Sequence, residues 1–291
     1  METITQLLLL TLAAGTPLVF AALGELVTEK SGVLNLGVEG MMLVGAVVAF
    51  IVAATTKSPW LGVLGGMGAG AALSLLFAVV TLSLQANQVA SGLALALFGV
   101  GLSAFIGLPY VSVVIEPIPH VLGVSPLVVV SLALFVFIQW FLYKTRAGLV
   151  LRAVGESPQS AHAIGYPVVA IRYLAVLFGG ACAGLGGAYL SLVYNPSWAE
   201  GMTAGRGWIA LALVVFATWK PWRVLAGAYL FGGVTLAQFQ AQALGVEIPA
   251  QYLSMLPYVA TVVVLAIISR DAGAIRLNAP ASLGRSFHPD A

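Results

Sequence analysis

Charged side chains are so sparse in this chain that they act as punctuation, and the uncharged runs between them have the length of membrane-crossing helices. A helix needs about 20 predominantly apolar residues to cross about 30 Å of hydrocarbon. The first run is bounded by Glu2 and Glu25 and the second by Glu39 and Lys57, while 58–115 is long enough for two. Further runs follow at 121–143, 173–199, 207–219, 224–246 and 248–269. The pattern predicts about nine transmembrane helices, an all-α polytopic membrane protein.

Composition supports that reading. Of 291 residues 60% are hydrophobic and 8% are charged, and the mean hydropathy is +1.04. A soluble domain carries roughly 25% charged residues, so an ordinary water-soluble globule is excluded. The net charge of +2 gives no basis for a nucleic-acid partner. The position of the charges matters more than their sum. With the N-terminus outside, nine crossings put ten of the twelve Lys and Arg residues on the cytoplasmic side, leaving Lys57 and Arg206 opposite. The positive-inside rule then places the N-terminus outside and the C-terminus in the cytoplasm. The first segment has no basic leader region and reads as a retained helix. The transmembrane domain is expected over 1–270, and 271–291, rich in Pro, Ser and Gly, reads as a mobile cytoplasmic tail. Cys182 is the single cysteine, which excludes an internal disulfide.

Glycine is abundant, and Gly62, Gly66 and Gly70 share one helix face, as do Gly180 and Gly184. Lipid gives helices no hydrophobic reason to associate, so small faces that let backbones touch are expected to hold the bundle together.

An energy source is conspicuously lacking in the chain itself. None of the four lysines follows a glycine, so there is no phosphate-cradling Walker A loop, and any ATP must be hydrolysed elsewhere. Both aspartates, Asp271 and Asp290, lie in the tail, which argues against an ion-driven carrier with carboxylates buried at mid-membrane. The three histidines are scattered, and no catalytic or metal-binding constellation appears. An ion-coupled carrier, a channel or a membrane enzyme stay as alternatives of other classes.

The longest basic loop, 144–172, should have structure of its own. Ser157 can cap a helix, Pro158 suits its first position and Gly165 can supply a left-handed stop, marking a helix of about two turns. So short a helix must rest on something else. It reads either as a helix on the membrane surface or as a coupling helix docked in a cytoplasmic ATPase.

Ahead of the second span, Asn35 can cap the helix and Glu39 lies one turn further on. A carboxylate in a first turn gains roughly 0.3–1 kcal/mol from the helix dipole. Against that, an acidic group carried toward the membrane centre costs roughly 2.5–3.5 kcal/mol on insertion scales, so its presence there points to a partner, a cavity or a function.

The run Gly32-Val33-Leu34-Asn35-Leu36-Gly37-Val38-Glu39-Gly40-Met41-Met42 resembles the signature of permease subunits of bacterial ABC importers. The branch it resembles takes branched-chain amino acids, simple sugars and nucleosides, and the likeness is nearest to the nucleoside type. Gly148, Arg152, Ala153, Gly155, Glu156, Pro158, Ala161 and Gly165 resemble the ATPase-docking loop of that family, and 205–212 is a third matching block. The older Glu-Ala-Ala form of the docking motif is interrupted, because Ser157 and Pro158 follow Glu156. The resemblance implies an importer in the bacterial cytoplasmic membrane, built with a second permease subunit, an ABC ATPase that binds ATP and Mg, and an extracytoplasmic substrate-binding lipoprotein or protein. It implies no cofactor in this chain. The ATPase-coupling residues it suggests are Arg152, Glu156, Ser157, Pro158, Ala161 and Gly165. Purine nucleosides are the favoured cargo, with simple sugars or riboflavin as alternatives.

Broken or short spans in matching positions of two halves are the best sequence pointer to a transport path. The second span has few uncharged residues after Glu39, and the seventh, between Arg206 and Lys220, is too short to cross unaided. Spans one and two run opposite to spans six and seven, so an inverted repeat pairing them is expected. The stretch 195–207, with Asn195, Trp198, Glu200 and Arg206, is then either an external half-entry beside the path or an external loop helix. Asn87, Gln238 and Gln242 are amides that could hold a base or ribose, or could join neighbouring helices. Trp198 and Tyr194 could stack on a base or anchor the membrane interface. Asn35, Glu39, Asn87, Asn195, Trp198, Arg206, Gln238 and Gln242 form the set of translocation candidates.

Overall fold

The computed structural model describes residues 2–119, 123–243, 250–268 and 278–288. Eleven α-helices hold most of them: α1 (Glu2–Lys30), α2 (Val38–Thr56), α3 (Pro59–Ala78), α4 (Gln88–Gly107), α5 (Pro126–Lys144), α6 (Arg146–Glu156), α7 (Pro158–Ala163), α8 (Val168–Tyr189), α9 (Arg206–Phe216), α10 (Pro221–Ala243) and α11 (Ala250–Ile268). Helices α3 and α8 each run on into a π-helical turn, Val79–Ser83 and Leu190–Tyr194. One isolated bridge, Val114 to Ser197, is the only β pairing among the described residues.

Serine-proline pairs start three helices. Ser58, Ser125 and Ser157 each accept a hydrogen bond from an amide of the first turn, and each is followed by proline at the first helical position. The hydroxyl satisfies a helix-start amide that lacks an intrahelical acceptor, and proline has no amide to leave unpaired there. Asn87 caps α4 in the same way, accepting from Ala90 N at 3.0 Å.

Among the described residues seven helices are long and apolar enough to cross a membrane: α1, α2, α3, α4, α5, α8 and α10, with π-helical turns included in two of them. Helix α9 is short, as its sequence predicts; its 11 residues span about 16 Å at 1.5 Å each. Helix α2 is not short. It reaches 19 residues and qualifies as a full crossing, because it begins before Glu39 and runs to Thr56.

Helices α1 and α8 pack antiparallel at the centre: Gly186 lies beside Pro17, Gly24 beside Gly179, and Thr28 donates to Ala175 O at 3.1 Å. Around this pair α8 carries α2 and α3, while α1 carries α9 and α10; α4 lies mainly on α2, whereas α11 lies mainly on α10 and only touches α9. Exchanging α1 with α8, α2 with α9 and α3 with α10 maps the contacts of the central pair onto one another. That is the neighbour pattern expected of an inverted repeat, with α5, α6 and α7 between the halves. Local chemistry repeats too: α3 and α10 both open on Pro-Trp, and Lys57 and Trp219, two positions before the respective prolines, both have left-handed backbones (φ 58° and 52°).

The glycine faces do what their spacing predicts. A Cβ on Gly66 would lie 2.8 Å from the Gly45 carbonyl oxygen, and one on Gly70 would lie 2.8 Å from Gly184 Cα. Helices α2, α3 and α8 therefore touch backbone to backbone, the close approach that lets dispersion forces bind helices in lipid.

Two expectations need correcting here. Helix α1 does not stop at Glu25 but continues to Lys30, with Glu25 and Glu29 each 1% exposed. The charges do not end it because its last turns are enclosed by protein rather than lipid. The mobility expected of 271–291 does not hold for 278–288, which is docked on the loops at the basic end of the bundle; 271–277 and 289–291 lie outside the described residues.

Candidate functional site

The starts of α2 and α9 meet at a buried carboxylate. Glu39, in the first turn of α2, is 6% exposed. Its Oε1 accepts from Thr203 Oγ1 at 2.5 Å and from Gly205 N at 3.0 Å, and its Oε2 accepts from Gly207 N at 2.6 Å. The carboxylate therefore caps the amino end of α9 from another helix, where free amides and the dipole both favour negative charge. A hydrogen bond to a charged group contributes roughly 1.5–3 kcal/mol, so three together can offset the cost of burying the acid.

Glycines make the approach feasible. A Cβ on Gly207 would lie 2.6 Å from Glu39 N, and Gly205 takes a left-handed backbone (φ 79°) to turn the chain into α9. The residue at the cap position of α2 is Gly37, not Asn35 as its side chain suggested. Asn35 Oδ1 instead accepts from Gly37 N at 3.0 Å, closing a local turn that leads into the helix. Asn35 is fully buried, and its own amide donates to Glu25 Oε1 at 3.2 Å.

The remaining candidates do not converge on one place. Arg206 opens α9; its Nη1 reaches Thr203 O at 3.2 Å and its guanidinium lies 5.7 Å from the ring centre of Tyr194. It thus stands one residue from Gly205 and Gly207, next to Glu39. Trp198 is 1% exposed and packs against Ala46, Val47 and Phe50 of α2, so its ring faces are closed to a base. Residues 195–205 form turns rather than a loop helix, and Asn195 is exposed at the end of the π-helical turn. Asn87 is an exposed cap. Gln238 is buried on α10 while Gln242, one turn on, is exposed. A cavity of about 420 Å³ beside α5, α6 and α8 is walled by apolar side chains such as Phe137, Phe141, Leu151 and Phe178, which suits a hydrocarbon chain rather than a polar solute.

Residues that the sequence reading passed over flank the joint. Glu29 Oε2 accepts from the indole Nε1 of Trp219, joining the end of α1 to the turn after α9. Glu25 Oε2 and Glu29 Oε1 are buried without a hydrogen-bond partner. Their spacing of four at the end of an apolar run is the signal in the sequence, and it is masked because a first charge after such a run also reads as the end of a span.

At the basic end, α7 forms where the loop predicted it. Ser157 Oγ accepts from Ser160 N at 3.3 Å, and Gly165 takes the left-handed stop (φ 93°). Pro158 and Ala161 are buried, while Glu156 and Gly165 are exposed. The Arg152 guanidinium lies 5.3 Å from the ring centre of Tyr143, and its Nε is buried with no hydrogen-bond partner. Among the described residues no group of His, Cys, Asp and Glu could hold a metal ion.

A bundle of long apolar helices, with a buried joint between two helix starts and a capped helix on its loop face, is the architecture of a multi-pass membrane protein. The chain belongs to the family described as branched-chain amino acid transport system / permease component, whose model matches residues 7–266. It is 41% identical, over 96% of each chain, to a Haloferax volcanii protein provisionally named as a glucose ABC transporter permease. It is 34% identical to a nucleoside ABC transporter permease of Lactococcus lactis subsp. cremoris, over 87% of this chain and 88% of that one. It is 33% identical to a guanosine ABC transporter permease of Bacillus subtilis, over 92% and 93%. No solved structure matches it significantly. The protein is an ABC transporter permease of the sugar and nucleoside type, and these relatives are transport components.

Proposed function

We propose that this chain is a membrane-spanning subunit of an ATP-driven importer of nucleosides, purine nucleosides above all, in the cytoplasmic membrane. Its partners are a second permease subunit, a cytoplasmic ABC ATPase holding ATP and Mg, and an extracytoplasmic binding protein or lipoprotein. The observation that carries this reading is the Glu39 joint. Two helices start at one buried carboxylate whose hydrogen bonds tie α2 to α9, so the two helices can hinge about that joint while the first amides of α9 stay satisfied. Helix α7, with Ser157 as cap and Pro158 and Ala161 buried, is the piece that the ATPase moves, with Arg152 and Glu156 leading into it and Gly165 ending it. Nucleoside and guanosine permeases among the relatives support the cargo. A hexose is the second reading, supported by the glucose permease at 41% identity.

The test is uptake of labelled guanosine, adenosine, ribose, glucose and riboflavin into proteoliposomes that hold this chain, its partner permease, the ATPase and the binding protein. ATP-dependent uptake of nucleosides alone supports the first reading. Uptake of glucose alone moves the assignment to the second, and uptake without ATP overturns both. Deleting 157–165 is expected to leave hydrolysis and abolish uptake.

A further inference from the structure

Segment 278–288 crosses the basic end of the bundle and is bound to four other pieces of chain. Gly284 N donates to Gly32 O at 3.1 Å, and Lys30 Nζ donates to Asn278 O at 2.8 Å. Ser282 gives both its amide, at 3.0 Å, and its hydroxyl, at 2.7 Å, to the carbonyl of Gly155 in the last turn of α6. Gln85 Nε2 reaches Phe287 O at 3.5 Å. Arg172, at the start of α8, is 1% exposed. Its Nε donates to Ser31 O at 3.1 Å, its Nη1 to Arg285 O at 3.1 Å and its Nη2 to Ser282 Oγ at 3.0 Å. A buried guanidinium is tolerated only when its donors are satisfied, and two of the three acceptors come from this segment.

Phe287 completes the attachment. It is buried among Val154 of α6, Ala161 of α7 and Val168 of α8, with its ring edge-on to His162 at 5.6 Å. Helix α7 has six residues, of which only Pro158 and Ala161 are buried. A helix that short has no stability of its own and takes its position from what it packs on. Phe287 supplies much of that packing. Toward the other end of the segment, Gly284 N holds Gly32 O and Asn278 O takes Lys30 Nζ, at the start of the loop that leads through Asn35 to Glu39.

We propose that 278–288 is a coupling strap: it fixes α7 to the α1–α2 loop and to α8, so that movement of α7 is delivered to the loop that leads into α2 and Glu39. Closely packed, hydrogen-bonded pieces shift as one body, whereas α7 attached through the end of α6 alone would pivot about Ser157. The inference rests on the reading of α7 as the helix moved by the ATPase. Phe287 and Ser282 are positioning residues in this scheme, and neither faces the cargo.

The experiment uses the whole importer in proteoliposomes and reads three quantities: ATPase retained on the permease, hydrolysis rate, and solute taken up per ATP. For Phe287→Ala and Ser282→Ala the expected result is retained ATPase and hydrolysis, with uptake per ATP lowered roughly tenfold. Phe287→Leu is expected to recover it. Unchanged uptake per ATP in both single variants overturns the strap, as does a Phe287→Leu variant that stays as uncoupled as Phe287→Ala. Deletion of 157–165 separates the two readings. If that deletion leaves coupling intact, the docking role of α7 fails and the strap with it; if it uncouples while Phe287→Ala does not, the strap alone fails.

Discussion

Glu29 and Trp219 are joined across 190 positions of sequence by a hydrogen bond from the indole Nε1 to Oε2, both groups buried. The contact ties the last turn of α1 to a left-handed turn, Thr218 and Trp219 with φ 49° and 52°, that ends the short α9 run. The two halves of the bundle therefore meet at a polar contact at one end of α9 and at Glu39 at the other.

Glu29→Gln keeps an acceptor for the indole and removes a carboxylate whose other oxygen has no partner. Thermal unfolding in detergent is expected to show this variant at or above the wild type. Glu29→Leu leaves the buried indole donor unpaired, at a cost of about 1–3 kcal/mol. Equal loss in the two variants would refute the hydrogen bond as the reason for the acid.

Glu39 responds in the opposite way to the same substitution. Its two oxygens take three donors, one of them Gly207 N alone on Oε2. In Glu39→Gln the amide nitrogen faces that donor, so a loss of about 1–3 kcal/mol is expected where Glu29→Gln shows none. Uptake should fall with it. A Glu39→Gln protein as stable as the wild type would mean that the amide groups of α9 are satisfied elsewhere.

Glycines separate into two kinds. A Cβ on Gly70 meets the backbone of Gly180 and Gly184, whereas Gly68 and Gly101 have nothing within 4 Å of where a Cβ would sit. Gly70→Ala is expected to force α3 away from α8 and lower the melting temperature by several degrees, about what 1–3 kcal/mol gives in an over-packed contact. Gly68→Ala and Gly101→Ala should be neutral or slightly stabilising, since alanine favours helix by up to about 1 kcal/mol. Destabilisation at position 68 or 101 would contradict the open space seen there.

Ser157→Ala removes the side-chain cap of α7, worth about 0.5–2 kcal/mol to a helix start. Hydrogen exchange is the suitable readout, because the effect is local. The amide of Ser160 should lose protection while those of α8 keep theirs; equal protection of Ser160 in the variant would show that the cap contributes nothing.

Much of this was legible in the sequence because its causes are local. Charge spacing marks the apolar helices, Ser157, Pro158 and Gly165 mark α7 through capping chemistry, and the spacing of Gly62, Gly66 and Gly70 marks a contact face. The length between Arg206 and Lys220 marks α9 as short. What escaped depends on partners far away in sequence. The acceptor role of Glu39 is defined by Thr203 and Gly207, and the burial of Glu29 by Trp219. Segment 278–288 reads as mobile because Pro, Ser and Gly carry little hydrophobic drive, yet backbone groups of Asn278, Ser282, Gly284 and Arg285 hold it, and backbone hydrogen bonds leave no mark in composition. Trp198 illustrates the converse: an aromatic side chain suited to stacking is enclosed by α2, and nothing in its own neighbourhood of sequence says so.

Arg172 gives the order of synthesis a physical meaning. Its guanidinium is made midway through the chain, but Ser282 and Arg285, which take two of its donors, leave the ribosome more than a hundred residues later. During that interval the arginine stays solvated and α7 lacks the aromatic ring it leans on. A chain ending before residue 282 would lack both of those acceptors, so the loop face depends on the last residues made.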